Sequence, residues 1–280
     1  MKPLIQKLPL KEGSSFLART YVTPSFETPL HQHQELELVL CAGSSGTVFI
    51  GDYIGEYKKG EIYLLGENLP HWFRKKDSDL TGQSLVVQFK NDMFGIGFLE
   101  LPELNKIKKL IENAKKGIKL KGNLNKIIRR KLEIIEKQSG SEQFLTLLYC
   151  LHQISTLEEY EYLTEYYFTY TSSNVQDRIG KVYEYTMNHY KDKITLKEVA
   201  GLTNQSVSSF CNFFKVNTKK TYIQFLNEVR INQACKLLKT SDETITDICF
   251  ESGFGNWANF SVQFKKMLNV SPKEYRKQFK

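Results

Sequence analysis

His31, His33 and Glu37 lie at i, i+2 and i+6, and His71 follows Pro70 further along the chain. On a strand, even offsets would put His31, His33 and Glu37 on one face, and Glu35 shares their parity. Imidazole and carboxylate together suit Zn, Fe, Mn or Ni. The same groups could instead hydrogen-bond to one another inside a barrel, or contact a small-molecule effector directly. Trp72, Phe73 and Tyr63 could wall such a site for a sugar-like ligand, or could be ordinary core aromatics.

A second chemistry is written near the other end. LKEVAGLTNQSVSSFCNFFK ends at Lys215, and ITDICFESGFGNWANFSVQFK ends at Lys265, 50 residues later. Phe210, Phe214 and Lys215 recur as Phe260, Phe264 and Lys265. A short helix, a tight turn and a second amphipathic helix is the unit that sets a recognition helix in the DNA major groove. Ser206, Ser208, Ser209, Cys211, Asn212, Lys215 and Lys219 are the DNA-facing candidates of the first copy. Asn256, Trp257, Asn259, Val262, Lys265 and Lys266 are those of the second.

The elements that must hold these residues differ along the chain. LELVLCA, GTVFIG, GEIYLLG and QSLVVQF, within residues 16–90, are β-branched and aromatic runs bounded by turn formers, as in a barrel or jelly roll. From residue 100 the period becomes helical, with Leu104, Ile107, Leu110 and Ile111 on one face, then Leu124, Ile127, Ile128, Leu132 and Ile135. SEQFLTLLYCLHQIS is apolar nearly all round, the pattern of a buried helix. The expected plan is α+β: a sensing domain over 1–99, a helical dimerisation segment over 100–156, a Tyr-rich acidic linker over 157–174 and a tandem helix-turn-helix domain over 175–280. Within the last, Thr195 and Glu198 make a capping box, Ser206 caps the first recognition helix, and Asn256 or Gly255 caps the second. The inner face of the first is expected to be Val207, Phe210, Phe213 and Phe214. A connecting helix is expected over Thr221–Leu238, and Pro272 at the start of the last helix.

The formal charge of +8 is uneven. Residues 1–99 carry net −1, 100–140 net +7, 141–173 net −5 and 174–280 net +7. A basic C-terminal region is what phosphate neutralisation requires. The five cysteines (Cys41, Cys150, Cys211, Cys235, Cys249) are scattered, with no CxxC, which suits reduced thiols acting as small core hydrophobes. MKPLIQKLPLKEG has no apolar h-region, and no apolar run nears the roughly 18 residues of a membrane span, so a cytoplasmic protein is expected.

Residues 178–279 resemble the DNA-binding domain of the AraC/XylS regulators. Leu196, Val199, Ala200, Ser206, Phe210, Phe214, Lys215, Tyr222, Arg230, Ala234, Leu237, Leu238, Ile245, Ile248, Gly253, Phe254, Phe260, Phe264, Lys265, Ser271, Pro272, Tyr275 and Arg276 carry the likeness. PLHQHQELELVLCAGSSGTVFIGDYIGEYKKGEIYLLGENLPHWF resembles the cupin-type sensor of one branch of that family. The resemblance implies a DNA-binding regulator that dimerises through the sensor and the following helices. It also implies partners: promoter DNA, RNA polymerase and a small-molecule effector held by His31, His33, Glu35, Glu37 and His71. His-x-His-x3-Glu plus a distant His is also the ligand set of enzymatic cupins. The expectation is no cofactor, with a divalent metal on His31, His33, Glu37 and His71 as the alternative.

Two departures from the family pattern bear on base reading. Where the family often has Arg, two residues before each Phe-Lys pair, this chain has Asn212 and Val262. Asn can read adenine; Val offers only an apolar contact to a thymine methyl. Where a Gly usually ends each unit, Asn217 or Thr218 and Asn269 are expected to take the left-handed turn. Three readings follow: a transcription regulator, a metal-dependent cupin enzyme with a DNA-binding tail, and an interaction protein with degenerate DNA-binding units. The intact Phe, Gly and Pro framework and the +7 charge of 174–280 favour the first.

Overall fold

A computed structural model of the chain describes residues 15–23, 30–75, 82–166 and 173–279. The opening segment and residues 167–172 of the expected linker lie outside the described residues. The chain divides into two compact units, Met1–Ser173 and Asn174–Lys280.

The first unit carries two sheets. The larger comprises β1 (Phe16–Thr23), β2 (Leu36–Cys41), β5 (Ile62–Leu65), β7 (Gly82–Phe89), β8 (Ile118–Leu120) and β9 (Tyr160–Tyr162), in the order β1-β7-β2-β5-β8-β9. The smaller has β3 (Gly46–Ile50) between β4 (Tyr53–Tyr57) and β6 (His71–Lys75). The alternation of β2 decides what lies on each side of the larger sheet. Leu36, Leu38 and Leu40 join Ile62, Leu64, Val87 and Phe89 in a core closed by α1 (Asn105–Asn113), α2 (Gly122–Ile135) and α3 (Gly140–Leu157). Val39 and Cys41 face the other way and pack with Val48, Ile50, Tyr57 and Phe73 of the smaller sheet. Both faces of β2 are therefore covered, which is why its text is apolar on both sides apart from Glu37.

Three expectations are corrected here. Residues 100–156 are not a segment apart from the sheets: Ile107, Leu110, Ile111, Leu124, Ile128, Leu132 and Ile135 spend their apolar faces on the larger sheet's core. The expected linker is in part a strand. Tyr160–Tyr162 pairs antiparallel with β8, and Glu161 meets Lys121 at 2.6 Å. The strand reading failed there because three residues between two polar turns give too little alternation to register. Finally, Trp72 and Phe73 cannot wall one site, since neighbours on a strand face opposite sides. Phe73 packs edge-on against Tyr57 and Tyr63, whereas Trp72 stacks on Phe49 at 5.3 Å.

The second unit is helical: α4 (Ser173–His189), α5 (Leu196–Leu202), α6 (Val207–Thr218), α7 (Tyr222–Thr240), α8 (Ile245–Glu251), α9 (Trp257–Leu268) and α10 (Pro272–Lys277). The starts of α5 to α10 are written in their caps. Thr195, Thr221 and Ser271 complete capping boxes with Glu198, Gln224 and Glu274. Ser206, Thr244 and Asn256 each accept from the backbone N–H three residues on. No helix among the described residues is long and apolar enough to cross a membrane.

Candidate functional site

The histidines meet where the segment leading into β2 exchanges a pair of backbone bonds with β6. His31 N–H donates to the His71 carbonyl at 3.1 Å and His71 N–H to the His31 carbonyl at 2.8 Å. β2 begins only at Leu36, so strand parity does not place His31 and His33; the bridge to His71 and a bend at 34–35 do. The expected convergence is present for a different reason. The donor atoms of His31, His33 and His71 all lie within 4.8 Å of one another.

Glu37 reaches this group from β2, and Gln88 stands opposite it on β7. Gln88 Nε2 donates to Glu37 Oε2 at 2.7 Å, and His33 Nε2 lies 3.0 Å from the same oxygen. His33 Nδ1 lies 3.0 Å from the Glu35 carbonyl, so both ring nitrogens face acceptors. Burial would push the Glu37 carboxyl up, but the hydrogen bond from His33 and the neighbouring histidines hold it down at about 2. For His33, burial works downward and is outweighed by the hydrogen bond and charge of Glu37, leaving it raised. His71 has the opposite balance: burial pulls it down to about 4. Its Nδ1 donates to the Leu69 carbonyl at 2.8 Å, which leaves Nε2 an acceptor. That Nε2 is buried without a hydrogen-bond partner and sits 3.9 Å from Glu37 Oε2.

Glu35 is buried, with Oε2 3.6 Å from His33 Nδ1. An open depression of about 580 Å³ lies alongside, lined by Gln34, Asn68, Lys90 and Glu100 among others, and the cluster itself is not part of that lining. Gln88 was missed in the sequence. Its signal was weak but present: it shares the parity of Val86 on β7, the face turned to the smaller sheet.

In the second unit, α5 and α6 form the first helix-turn-helix and α8 and α9 the second. Phe210, Phe214 and Thr218 are the buried side of α6; Phe260 and Phe264 are that of α9. Val207, expected inward, is exposed, and Phe213 lies half-buried under the Arg178 guanidinium at 4.3 Å. The inner stripe is thus narrower than expected because α6 is only one face deep in the bundle. Arg178, on α4, is a basic residue beside α6 that the sequence could not reveal, since the contact joins separate helices.

The opposite faces are open. Ser206, Ser208, Ser209, Asn212, Lys215 and Lys219 are exposed on the first unit; Asn256, Trp257, Asn259, Val262, Lys265 and Lys266 are exposed on the second. Cys211 is half-buried. The caps use part of this chemistry: Ser206 Oγ accepts from Ser209 N–H and Asn256 Oδ1 from Asn259 N–H. The left-handed residue after α6 is Lys219 rather than Asn217 or Thr218, while Asn269 holds that place after α9 as expected. Asn217 and Thr218 stay helical because their side chains bond back to the Phe213 and Phe214 carbonyls.

Arg230 ties the unit together. Its Nε donates to the Tyr190 carbonyl and its Nη2 to the Asp192 carbonyl, each at 2.8 Å. Arg276 Nη2 donates to the Glu243 carbonyl at 2.7 Å. These bonds join α7 to the α4–α5 turn, and α10 to the α7–α8 turn.

Residues 199–278 match a family model described as a helix-turn-helix domain. The chain is 31% identical over 133 residues to the transcriptional activator RhaS of Klebsiella pneumoniae strain 342, a match covering 48% of this chain and 44% of that protein. It is 23% identical over 276 residues to the transcriptional activator RhaR of Mannheimia succiniciproducens, covering 96% of this chain and 94% of the other. The chain spans less than half the length of the first curated relatives it matches. Among solved structures, ToxT from Vibrio cholerae aligns over 95% of this chain and 99% of its own, at 16% identity and a TM-score of 0.37. With its doubled helix-turn-helix, the second unit is similar to the helix-turn-helix domains of these transcriptional activators.

Proposed function

We propose that the protein binds promoter DNA through α6 and α9 and that a small molecule held in the N-terminal unit sets that binding. The carrying observation is the pair of like helices, each buried by a Phe-x3-Phe stripe and each presenting an open polar and basic face. Lys215, Lys219, Lys265 and Lys266 serve phosphates, which position without reading sequence. Ser208, Cys211 and Asn212 face bases in one groove; Trp257, Asn259 and Val262 do so in the next. α7 has 19 residues, about 28 Å at 1.5 Å per residue, which with its flanking turns suits grooves one helical turn apart.

The N-terminal two-sheet unit is read as a cupin-type sensor whose effector contacts His31, His33, Glu35, Glu37 and His71. A homodimer through the helices of that unit would double the DNA contacts, and RNA polymerase is the partner that a promoter-bound regulator addresses. Support for the dimer comes from α3, which is apolar on both sides. Leu147, Cys150, Leu151 and Ile154 face inward, while Leu145 is 60% exposed and Tyr149 39% exposed.

The test is binding of the full chain to duplexes selected from a random-sequence library, across a salt series. Log Kd should shift with log salt by about 0.9 per phosphate contact, with a selected consensus emerging. A folded chain that retains no duplex at low salt would overturn the reading.

A further inference from the structure

We infer that Arg178, which lies outside both helix-turn-helix units, is a further DNA contact: from α4 it clamps a backbone phosphate beside one flank of α6. The inference rests on the regulator reading and adds a residue to its DNA interface. The helical period of α6 carries it first. Phe210, Phe214 and Thr218 are buried, so Ser208, Asn212 and Lys215 point the other way. Ser209, Phe213 and Val216, at i, i+4 and i+7, share a flank between those two sides. A helix seated in a major groove about 12 Å wide has a row of phosphates along each side. Lys215 lies toward one row. The flank of Ser209, Phe213 and Val216 faces the other and has no cation of its own on α6. Lys220, just past the helix, is bound to Glu228.

The repeat supplies the second observation. Ser209, Phe213 and Val216 stand at the register of Asn259, Gln263 and Lys266, 50 residues on. The second unit therefore carries an exposed lysine on this flank where the first has a valine, 56% exposed. Arg178 fills the gap from a neighbouring helix. Its guanidinium lies over the Phe213 ring at 4.3 Å. Ile179, Val182 and Tyr183 are buried, and Tyr183 stacks on Phe225 at 4.2 Å, which anchors the turn of α4 that bears Arg178. The Arg178 Nε is buried with no hydrogen-bond partner. None of the ion pairs among the described residues involves this arginine. The ring thus holds the guanidinium by its face and leaves the Nη edge for an acceptor. A planar guanidinium both stacks on an aromatic ring and grips a phosphate through two parallel hydrogen bonds. Held in place by the ring, it loses little side-chain freedom on binding.

The experiment measures the full chain on the selected duplex and on a duplex of unrelated sequence, across roughly 50–200 mM salt. Arg178→Gln should weaken both complexes alike and make the log–log salt slope shallower by about 0.9, so that its penalty shrinks about threefold across that range. Arg178→Met keeps the apolar stem on Phe213 and should do the same, which keeps the test sharp should Arg178→Gln unfold. Val216→Lys in the Arg178→Gln background puts a cation at the register of Lys266 and should restore the slope. Folded variants with an unchanged slope would overturn the inference even if affinity falls, because that pattern marks a residue that only supports α6. Weakening confined to the selected duplex would make Arg178 a base reader and overturn the phosphate role. A slope that Val216→Lys leaves shallow would overturn the assignment to this flank. A wild-type chain that binds neither duplex would overturn the regulator reading itself, a result distinct from all of these.

Discussion

Gly253 is pressed against Tyr190: a Cβ built on the glycine would stand 2.2 Å from the Tyr190 carbonyl oxygen. The same carbonyl accepts from Arg230 Nε, and Gly253 has a φ of +88°. The turn of the second helix-turn-helix is therefore fixed by a contact with the end of α4, some 60 residues earlier in the chain.

Gly253→Ala should destabilise the second unit by about 1–3 kcal/mol from backbone conformation, and by more once the clash is added. Urea unfolding followed by Trp257 fluorescence, in a Trp72→Phe background, measures it. An unchanged midpoint would show that the turn relaxes away from Tyr190.

Asn212 and Val262 occupy equivalent places on α6 and α9, and both are exposed. Asn212→Ala should relax discrimination at one base pair by about 1–3 kcal/mol, because an amide can pair with adenine. Val262→Ala should cost less. Both variants are compared on a panel of single-base changes in a selected duplex; a larger loss from Val262→Ala would reverse the assignment of reading roles.

Acid should loosen α5. The Thr195 backbone N–H and hydroxyl both donate to Glu198, which holds its carboxyl below the ordinary 4.5. A carboxyl lowered on folding adds stability above its unfolded value, and that stability is lost as pH falls through the folded value. Glu198→Gln should flatten this part of the acid dependence below pH 4.5 while Thr195→Ala, which removes the cap itself, costs about 0.5–2 kcal/mol at neutral pH. Unfolding midpoints of the three proteins from neutral pH downward decide it.

Leu145→Glu should leave the fold intact and shift a dimer toward monomer in sedimentation, since Leu145 is 60% exposed on a helix whose other side is buried. A variant that sediments as the wild type does would move the dimer surface elsewhere.

The DNA-binding half was legible in the text because its rules are local. Caps at Thr195, Ser206 and Asn256 and phenylalanines four apart are each set by backbone bonds or helical period within a few residues. The exposed face of each recognition helix follows from the same period. Where the local rule competed with a side chain's own bond, the text misled: Asn217 and Thr218 bond back to their helix, and Lys219 takes the left-handed place. The N-terminal site was different. His31, His33, Glu37 and His71 could be named from residue type and spacing, but the strand parity invoked for them holds only from Leu36 onward. What gathers them is the His31–His71 backbone bridge and the facing of Glu37 and Gln88 across β2 and β7. Likewise, β8 exists because β5 offers an edge to pair with and β9 because β8 does, not because Ile118–Leu120 or Tyr160–Tyr162 carries a strand signal of its own. Helical period and caps are properties of contiguous residues, so the sequence alone determined the tandem helix-turn-helix. Pairing between strands far apart in the chain has no such local mark, so only the tertiary structure decided the histidine cluster and the core that the larger sheet shares with α1, α2 and α3.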